Sequence, residues 1–281
     1  MSNKIKIAFS GLPGRMASAV AELALKKNNE FEVAQFALTG PNMASSFELS
    51  GNQMELISSE NINEFIGRVK SEVVDIIIDY SHPSAVETNV IAYTENKLPF
   101  ILGTTGGDYS NVEKKVLESG VAAIVAPNMA LPIVAITAML EMCQNQFPGV
   151  FENYQLTVKE SHQKGKADTS GTAKHLISFL QNAGADFEES KDLSMCRDPD
   201  EQKSHWGIPD EYLTGHAFHT YDLRSSDETS HFSLSHNILG RNIYAEGTLE
   251  AVKFLYKRRD TKCDRSYNMI DVLKNLRTEN V

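Results

Sequence analysis

Lys4-Ile5-Lys6-Ile7-Ala8-Phe9-Ser10-Gly11-Leu12-Pro13-Gly14-Arg15-Met16-Ala17 joins a short, mostly apolar strand to a glycine turn and to a helix that runs to about Lys26. Gly-x-x-Gly-x-x-Ala at a strand-to-helix turn is a variant of the dinucleotide fingerprint. Gly11 makes the tight turn, Gly14 lets backbone approach a pyrophosphate, and Ala17 permits close helix–strand packing. Leu12, Pro13, Arg15 and Met16 complete the loop and join the two glycines as expected cofactor contacts. The next strand, Phe31 to Leu38, ends in Leu38-Thr39-Gly40-Pro41, without an acid. An Asp or Glu there would bind a ribose 2′-hydroxyl, so its absence removes a repulsion against a 2′-phosphate. Thr39 is therefore an expected contact, and NADPH the expected cofactor, with NADH permitted. Arg15 could add positive charge nearby; it reads equally well as an ordinary surface residue of the first helical turn.

Asn42 to Glu55 is polar and reads as irregular, and Ile62 to Val69 reads as a helix. Val73 to Asp79 is apolar at nearly every position, as suits a parallel strand buried on both faces. Helix and strand then alternate: Ser84–Glu95, Leu98–Leu102, Asn111–Glu118 and Val121–Ala126. Strands alternating with helices predict an α/β fold with a Rossmann-like, doubly wound parallel sheet. Tyr80-Ser81, Gly103-Thr104-Thr105-Gly106 and Pro127-Asn128-Met129 each follow a strand C-terminus, the edge where open sheets bind ligands. A helix over about Leu131–Asn145 and a break at Gln146–Gly149 lead out of this part. The expected division is a dinucleotide-binding domain over 1–130 and a substrate-binding and oligomerisation domain over 131–245. Helices within 246–281 are expected to pack back on the first domain.

In the second part Glu160-Ser161-His162-Gln163-Lys164-Gly165-Lys166-Ala167-Asp168-Thr169-Ser170-Gly171-Thr172-Ala173 follows a strand-like run, Tyr154 to Val158, and opens a helix over Thr172–Asn182. A helix N-terminus offers free N–H groups and the positive end of the dipole to an anion. Ser170 and Thr172 add hydroxyl donors, and Gly171 lets a ligand near the backbone. His162 and Lys166 upstream add a titratable proton donor and a cation, which suits a carboxylate-bearing substrate that must be protonated. Taken alone, the segment also reads as a capped helix after a solvated basic loop, with Lys164 a surface lysine. Strand-like runs at Glu211–Leu223 and Thr229–His236 complete an α+β domain. His216, His219 and His236 lie on these runs without catalytic-metal spacing, so no metal is expected.

At 281 residues the chain exceeds the usual single-core size, and two domains are expected. A net charge of −10 argues against nucleic acid as a partner. No apolar run reaches membrane-spanning length, so no membrane partner is expected. The widely spaced Cys143, Cys196 and Cys263 suit a reducing compartment. A strand begins within a few residues of Met1, which leaves no room for a leader in this chain. The expected location is the cytoplasm, or the plastid stroma if a removed transit peptide preceded the sequence.

With Gly11–Met16, Asp79-Tyr80-Ser81, Gly103–Gly106, Asn128-Met129 and the Glu160–Ala173 stretch in place, the chain resembles the 4-hydroxy-tetrahydrodipicolinate (dihydrodipicolinate) reductase family over nearly its whole length. Gly215-His216-Ala217-Phe218-His219 and Asn242–Gly247 are similar to its plant-type branch. Gln163 stands where the common bacterial form has a second histidine, and one residue fewer, with no proline, precedes Ser170. The resemblance implies an NAD(P)H-dependent reduction of a cyclic imine-dicarboxylate in diaminopimelate and lysine synthesis. It implies that His162 is the proton donor, with Lys166 beside it. Ser170, Gly171 and Thr172 would hold a substrate carboxylate and Arg241 would face the same pocket, unless Arg241 is a structural ion-pair partner. Gln163 cannot ionise and would hydrogen-bond instead. A homo-oligomer, dimer or tetramer, formed through the substrate-domain sheet is also implied. The alternatives are a different two-domain dehydrogenase or a nucleotide-binding regulator that performs no chemistry.

Overall fold

The computed structural model describes residues 4–276. The chain forms two compact units, one made of residues up to 134 with those from 242 onward, the other of residues 135–241.

The first unit carries seven strands: β1 Ile5–Ser10, β2 Phe31–Thr39, β3 Ser46–Leu49, β4 Asn52–Ser58, β5 Ile76–Asp79, β6 Phe100–Leu102 and β7 Ala123–Val125. Their order in the sheet is β3-β4-β2-β1-β5-β6-β7. All neighbours are parallel except β3 and β4. This is the doubly wound, Rossmann-like sheet that the alternating pattern predicts. Side chains alternate across it. Ile7, Phe9, Ile76 and Ile78 pack on one side with Ala17, Val20 and Ala21 of the Arg15–Lys26 helix and Leu249 and Val252 of the Asn242–Tyr256 helix. Ala8, Ile77, Phe100 and Leu102 pack on the other side with Phe65, Val90 and Val116 of three further helices. Burial on both faces explains why β5 reads as a continuous apolar run.

Two expectations in this unit fail. The stretch read as irregular contains the β3–β4 hairpin. Its two-residue turn, Ser50-Gly51, has both φ angles positive (49° and 78°), as a type I′ turn requires. Leu49, Met54 and Leu56 are buried while Glu48, Gln53 and Glu55 face solvent, an alternation that a predominantly polar composition conceals. The strand expected from Val73 begins only at Ile76. Val73 has φ 53° and is 75 % exposed, and it belongs to the turn that ends the Ile62–Ser71 helix.

The second unit carries β8 Tyr154–His162, β9 Leu193–Cys196, β10 His216–Ser225 and β11 His231–Leu239, in the order β11-β10-β8-β9. β10 is antiparallel to both β8 and β11, and β9 is parallel to β8. The Gly171–Asn182 helix covers one face, with Leu176, Ile177 and Leu180 against Leu156, Val158, Tyr221 and Leu223. The expected strand ending at Val158 runs four residues further, so His162 lies on β8 and not in a solvated loop. The run expected from Glu211 starts with a single tight turn, Asp210–Tyr212, before β10 begins.

Candidate functional site

In the first unit, Gly11, Leu12, Pro13, Gly14, Thr39, Tyr80 and Ser81 line one cleft of about 550 Å³ at the C-terminal edge of the sheet. The turn leaves no room for side chains. A Cβ on Gly11, whose φ is +106°, would lie 2.5 Å from the Tyr80 carbonyl oxygen, and one on Gly14 would lie 2.5 Å from the Gly11 carbonyl oxygen. Gly103 packs under the ring of Tyr80, where a Cβ would lie 2.3 Å from a ring carbon. The Tyr80 hydroxyl pairs with Thr248 Oγ1 at 2.6 Å, and burial holds its pKa well above the usual phenol range. Thr104 donates to the Ser81 carbonyl at 3.0 Å. On the next strand end, Asn128 Oδ1 accepts from the Ala130 amide at 2.9 Å, and Met129 is buried with its carbonyl against Gly247. Arg15, Met16, Thr105 and Pro127 do not line the cleft; Arg15, Thr105 and Pro127 are exposed.

Sequence reasoning passed over what holds this edge. Asp79 is fully buried and accepts from the Tyr93 hydroxyl (2.9 Å), Asn89 Nδ2 (2.9 Å) and the Ser81 amide (2.8 Å). A carboxylate satisfied by neutral donors at a strand end fixes the Tyr80-Ser81 loop. Burial first, then the Asp79 charge, pushes the Tyr93 pKa far up, so its hydroxyl remains a donor.

In the second unit, strand register assembles a polar group on the helix-covered face. Glu160 lies opposite His219, and His219 opposite His236. His162 Nδ1 faces the His216 carbonyl oxygen at 3.2 Å, and its Nε2 faces His219 Nε2 at 3.1 Å. Nδ1 therefore carries the proton, donating to the carbonyl, and the Nε2 lone pair accepts from His219. His219 Nε2 also lies 3.5 Å from Glu160 Oε2. Gln202, fully buried, donates to the His162 carbonyl at 2.7 Å. Burial, then the neighbouring His219, lowers the His162 pKa to about 4. Burial opposes the charge of Glu160, but hydrogen bonds from His219, Arg197 and the Ser170 amide outweigh it and lower the pKa to about 2.

Arg197 is the organising cation, and no spacing in the sequence marked it. It pairs with Glu160 and donates through Nε to the Lys166 carbonyl at 2.7 Å, tying the 163–170 loop to β8. Lys166 Nζ lies 3.4 Å from Asp168, and the backbone carbonyl of the half-buried Gln163 accepts from the Lys166 amide at 3.0 Å. Ser170 stands at the helix N-cap position without a side-chain cap bond, and its amide donates to Glu160 Oε2 at 3.2 Å, so the chain's own carboxylate takes that donor. Gly171 is exposed, and a Cβ there would meet nothing within 4 Å. Packing therefore does not require glycine at 171, whereas the approach of a ligand would. Arg241 packs beside Gly215, next to the start of β10. The structure thus gathers His162, Lys166 and Ser170 around Glu160 and Arg197.

Comparison with known proteins gives a consistent picture. The family model for the dihydrodipicolinate reductase N-terminus matches residues 5–129, and that for the C-terminus matches residues 133–273. The chain is 39% identical to 4-hydroxy-tetrahydrodipicolinate reductase 1, chloroplastic, of Arabidopsis thaliana, covering 97% of this chain and 78% of the relative. It is 38% identical to a probable reductase 1, chloroplastic, of Oryza sativa subsp. japonica, covering 95% and 78%. Among solved structures, a dipicolinate-bound dihydrodipicolinate reductase from Paenisporosarcina sp. TG-14 shares the fold, with TM-score 0.65 and 17% identity over 95% of this chain and 98% of that one.

Proposed function

The chain belongs to the dihydrodipicolinate reductase family, and from that membership we propose how its residues divide the work of the reaction. It is an NAD(P)H-dependent oxidoreductase that reduces 4-hydroxy-tetrahydrodipicolinate, or the dehydrated ring, to tetrahydrodipicolinate in diaminopimelate and lysine synthesis. Reduced nicotinamide supplies the hydride when bound. In the cleft of the first unit, Gly11 and Gly14 give a pyrophosphate close access to backbone beside the Tyr80-Ser81 loop, and the loops at Gly103–Thr105 and Pro127–Met129, which follow the ends of β6 and β7 outside that cleft, take the rest of the cofactor. NADPH is the preferred cofactor: Thr39 ends β2 without a carboxylate to repel a 2′-phosphate, and Arg15 is exposed at the start of the Arg15–Lys26 helix.

In the second unit, Ser170, Gly171 and Thr172 receive one substrate carboxylate at the helix N-terminus, with Lys166, Gln163 and Arg241 facing the rest of the dianion. Hydride addition leaves an electron-rich ring carbon that takes up one proton. His162 supplies it. In the unliganded chain His162 is neutral, so the proton must be loaded as the dianion binds, whose charge favours the imidazolium. The His219 proton then moves from Nε2 to Nδ1, and the freed His219 Nε2 accepts from the His162 Nε2–H, with Glu160 beside it as counter-charge. The observation that carries this reading is the His162–His219–Glu160 row beside a helix N-terminus. Lys166 lowers the barrier further by offsetting the negative charge that develops on the ring.

The test is oxidation of NADPH and NADH by the purified chain, with substrate generated from pyruvate and aspartate semialdehyde by a separate synthase. Synthase-dependent oxidation is expected, faster with NADPH, and His162→Ala should lower kcat by about 10²-fold or more while leaving nucleotide affinity unchanged. Binding of nucleotide without turnover would favour a regulator instead. We also propose a homo-oligomer built on the solvent face of the β8–β10–β11 sheet, where Thr220, Ser235 and Asn237 align; light scattering should give a mass of two or four chains. The three thiols are free, which suits a reducing compartment, cytoplasm or plastid stroma. Among the described residues no helix is long and apolar enough to cross a membrane.

A further inference from the structure

Glu160, His162 and His219 present three ligand atoms that all lie within 4.8 Å of one another. The set differs from His216, His219 and His236, which lie on the strand-like runs without metal spacing, and spacing along the chain does not reveal it. The three residues come from two antiparallel strands whose register sets Glu160 directly opposite His219. The geometry points to a zinc site: we propose that Glu160 Oε2, His162 Nε2 and His219 Nε2 bind one Zn²⁺ as a three-residue face, with the fourth position left to water or an anion.

Tetrahedral zinc with bonds of about 2.0–2.1 Å separates its ligand atoms by about 3.3 Å. The two imidazole nitrogens are 3.1 Å apart, and His219 Nε2 is 3.5 Å from Glu160 Oε2. Little rearrangement is needed. His162 already shows the outer contact that zinc-binding histidines use, its Nδ1–H directed at the His216 carbonyl. At His219 the Nε2 proton must leave for Nδ1, a buried nitrogen that has no partner among the described residues. That tautomer shift frees the lone pair without releasing a proton. Two neutral imidazoles and one carboxylate select zinc over magnesium or calcium, which take oxygen ligands.

Charge sets the limit on affinity. Glu160 is already neutralised by Arg197 and its Oε2 already accepts from the Ser170 amide. A dication therefore adds uncompensated positive charge, and affinity should fall below that of a structural zinc site. Its consequence rests on the proposed function: zinc occupies the His162 lone pair that must receive the proton, so it inhibits the reductase reversibly.

The experiment titrates Zn²⁺ into the chelator-treated full-length chain by calorimetry, with Co²⁺ absorption as a second probe of tetrahedral coordination. One site per chain is expected, with His162→Asn and His219→Ala each weakening it by about tenfold or more. His236→Ala and His216→Ala should keep it, which separates the site from the neighbouring histidines of β10 and β11, and circular dichroism establishes that each variant is folded. Zinc binding unchanged in both His162→Asn and His219→Ala, or absent in the parent, overturns the proposal. Inhibition that EDTA reverses is the expected consequence. Site-specific binding without inhibition would support the zinc site and count instead against His162 as the proton donor.

Discussion

Arg197 and Glu160 form an ion pair in which the carboxylate is fully buried and the guanidinium side chain is 18% exposed. The pair does more than neutralise charge, because the same guanidinium also donates to the Lys166 carbonyl. Removing one partner of a buried pair leaves the other uncompensated, at about 3–5 kcal/mol. Arg197→Ala should therefore destabilise the second unit by roughly that amount and release the 163–170 loop, so KM for substrate rises. Urea unfolding and steady-state kinetics measure both. Arg197→Lys should recover part of the stability but not the loop contact made by Nε. Wild-type stability in Arg197→Ala would show that Glu160 is held by other means.

Gly103 has no alternative residue. A methyl group there would overlap the Tyr80 ring, whose hydroxyl is held by Thr248. Gly103→Ala should displace Tyr80 from the cleft, raise KM for the cofactor and cost about 1–3 kcal/mol of stability. Nucleotide titration followed by fluorescence, together with thermal unfolding, gives the two numbers; unaltered cofactor affinity would show that Tyr80 does not shape the cofactor site.

Thr39 ends β2 and is only 5% exposed. Thr39→Asp would place a carboxylate where a 2′-phosphate is proposed to lie. The expected result is a rise of about tenfold or more in KM for NADPH with NADH spared or improved. Equal effects on the two cofactors would place the 2′ position elsewhere.

Local chemistry was legible in the sequence and non-local pairing was not. The Gly11–Gly14 turn could be read because the conformation it needs is specified within a few residues, and the parallel sheet because β5 is apolar on both faces. The β3–β4 hairpin escaped because its buried residues, Leu49, Met54 and Leu56, are diluted among polar neighbours. The Glu160–Ala173 stretch brought His162, Lys166 and Ser170 into view, since they share one segment. Glu160 as a hub, Arg197 and His219 stayed hidden: their meeting depends on the pairing of β8 with β10 and β9, which no spacing encodes. Nor could burial be read, and it is burial that makes His162 neutral in the free chain.

That neutrality has a consequence for acid stability. His162 and His236 are both lowered to about 4, chiefly by burial, from an ordinary value near 6.5. The unfolded chain therefore binds protons that the folded chain refuses, so stability is full above about pH 6.5 and falls as pH drops toward 4. Glu160 is lowered to about 2, so its contribution is full above its ordinary value of 4.5 and disappears only as pH falls through that range toward 2. Urea unfolding at a series of pH values should show a first loss between pH 6.5 and 4, up to about 3 kcal/mol for each histidine, and a second below pH 4.5. His236→Phe removes one of the two histidine contributions without touching His162, and should flatten the upper limb by about half. If the upper limb is unchanged in that variant, His236 titrates alike in the folded and unfolded chains, and the two nitrogens that lack partners among the described residues are satisfied by water.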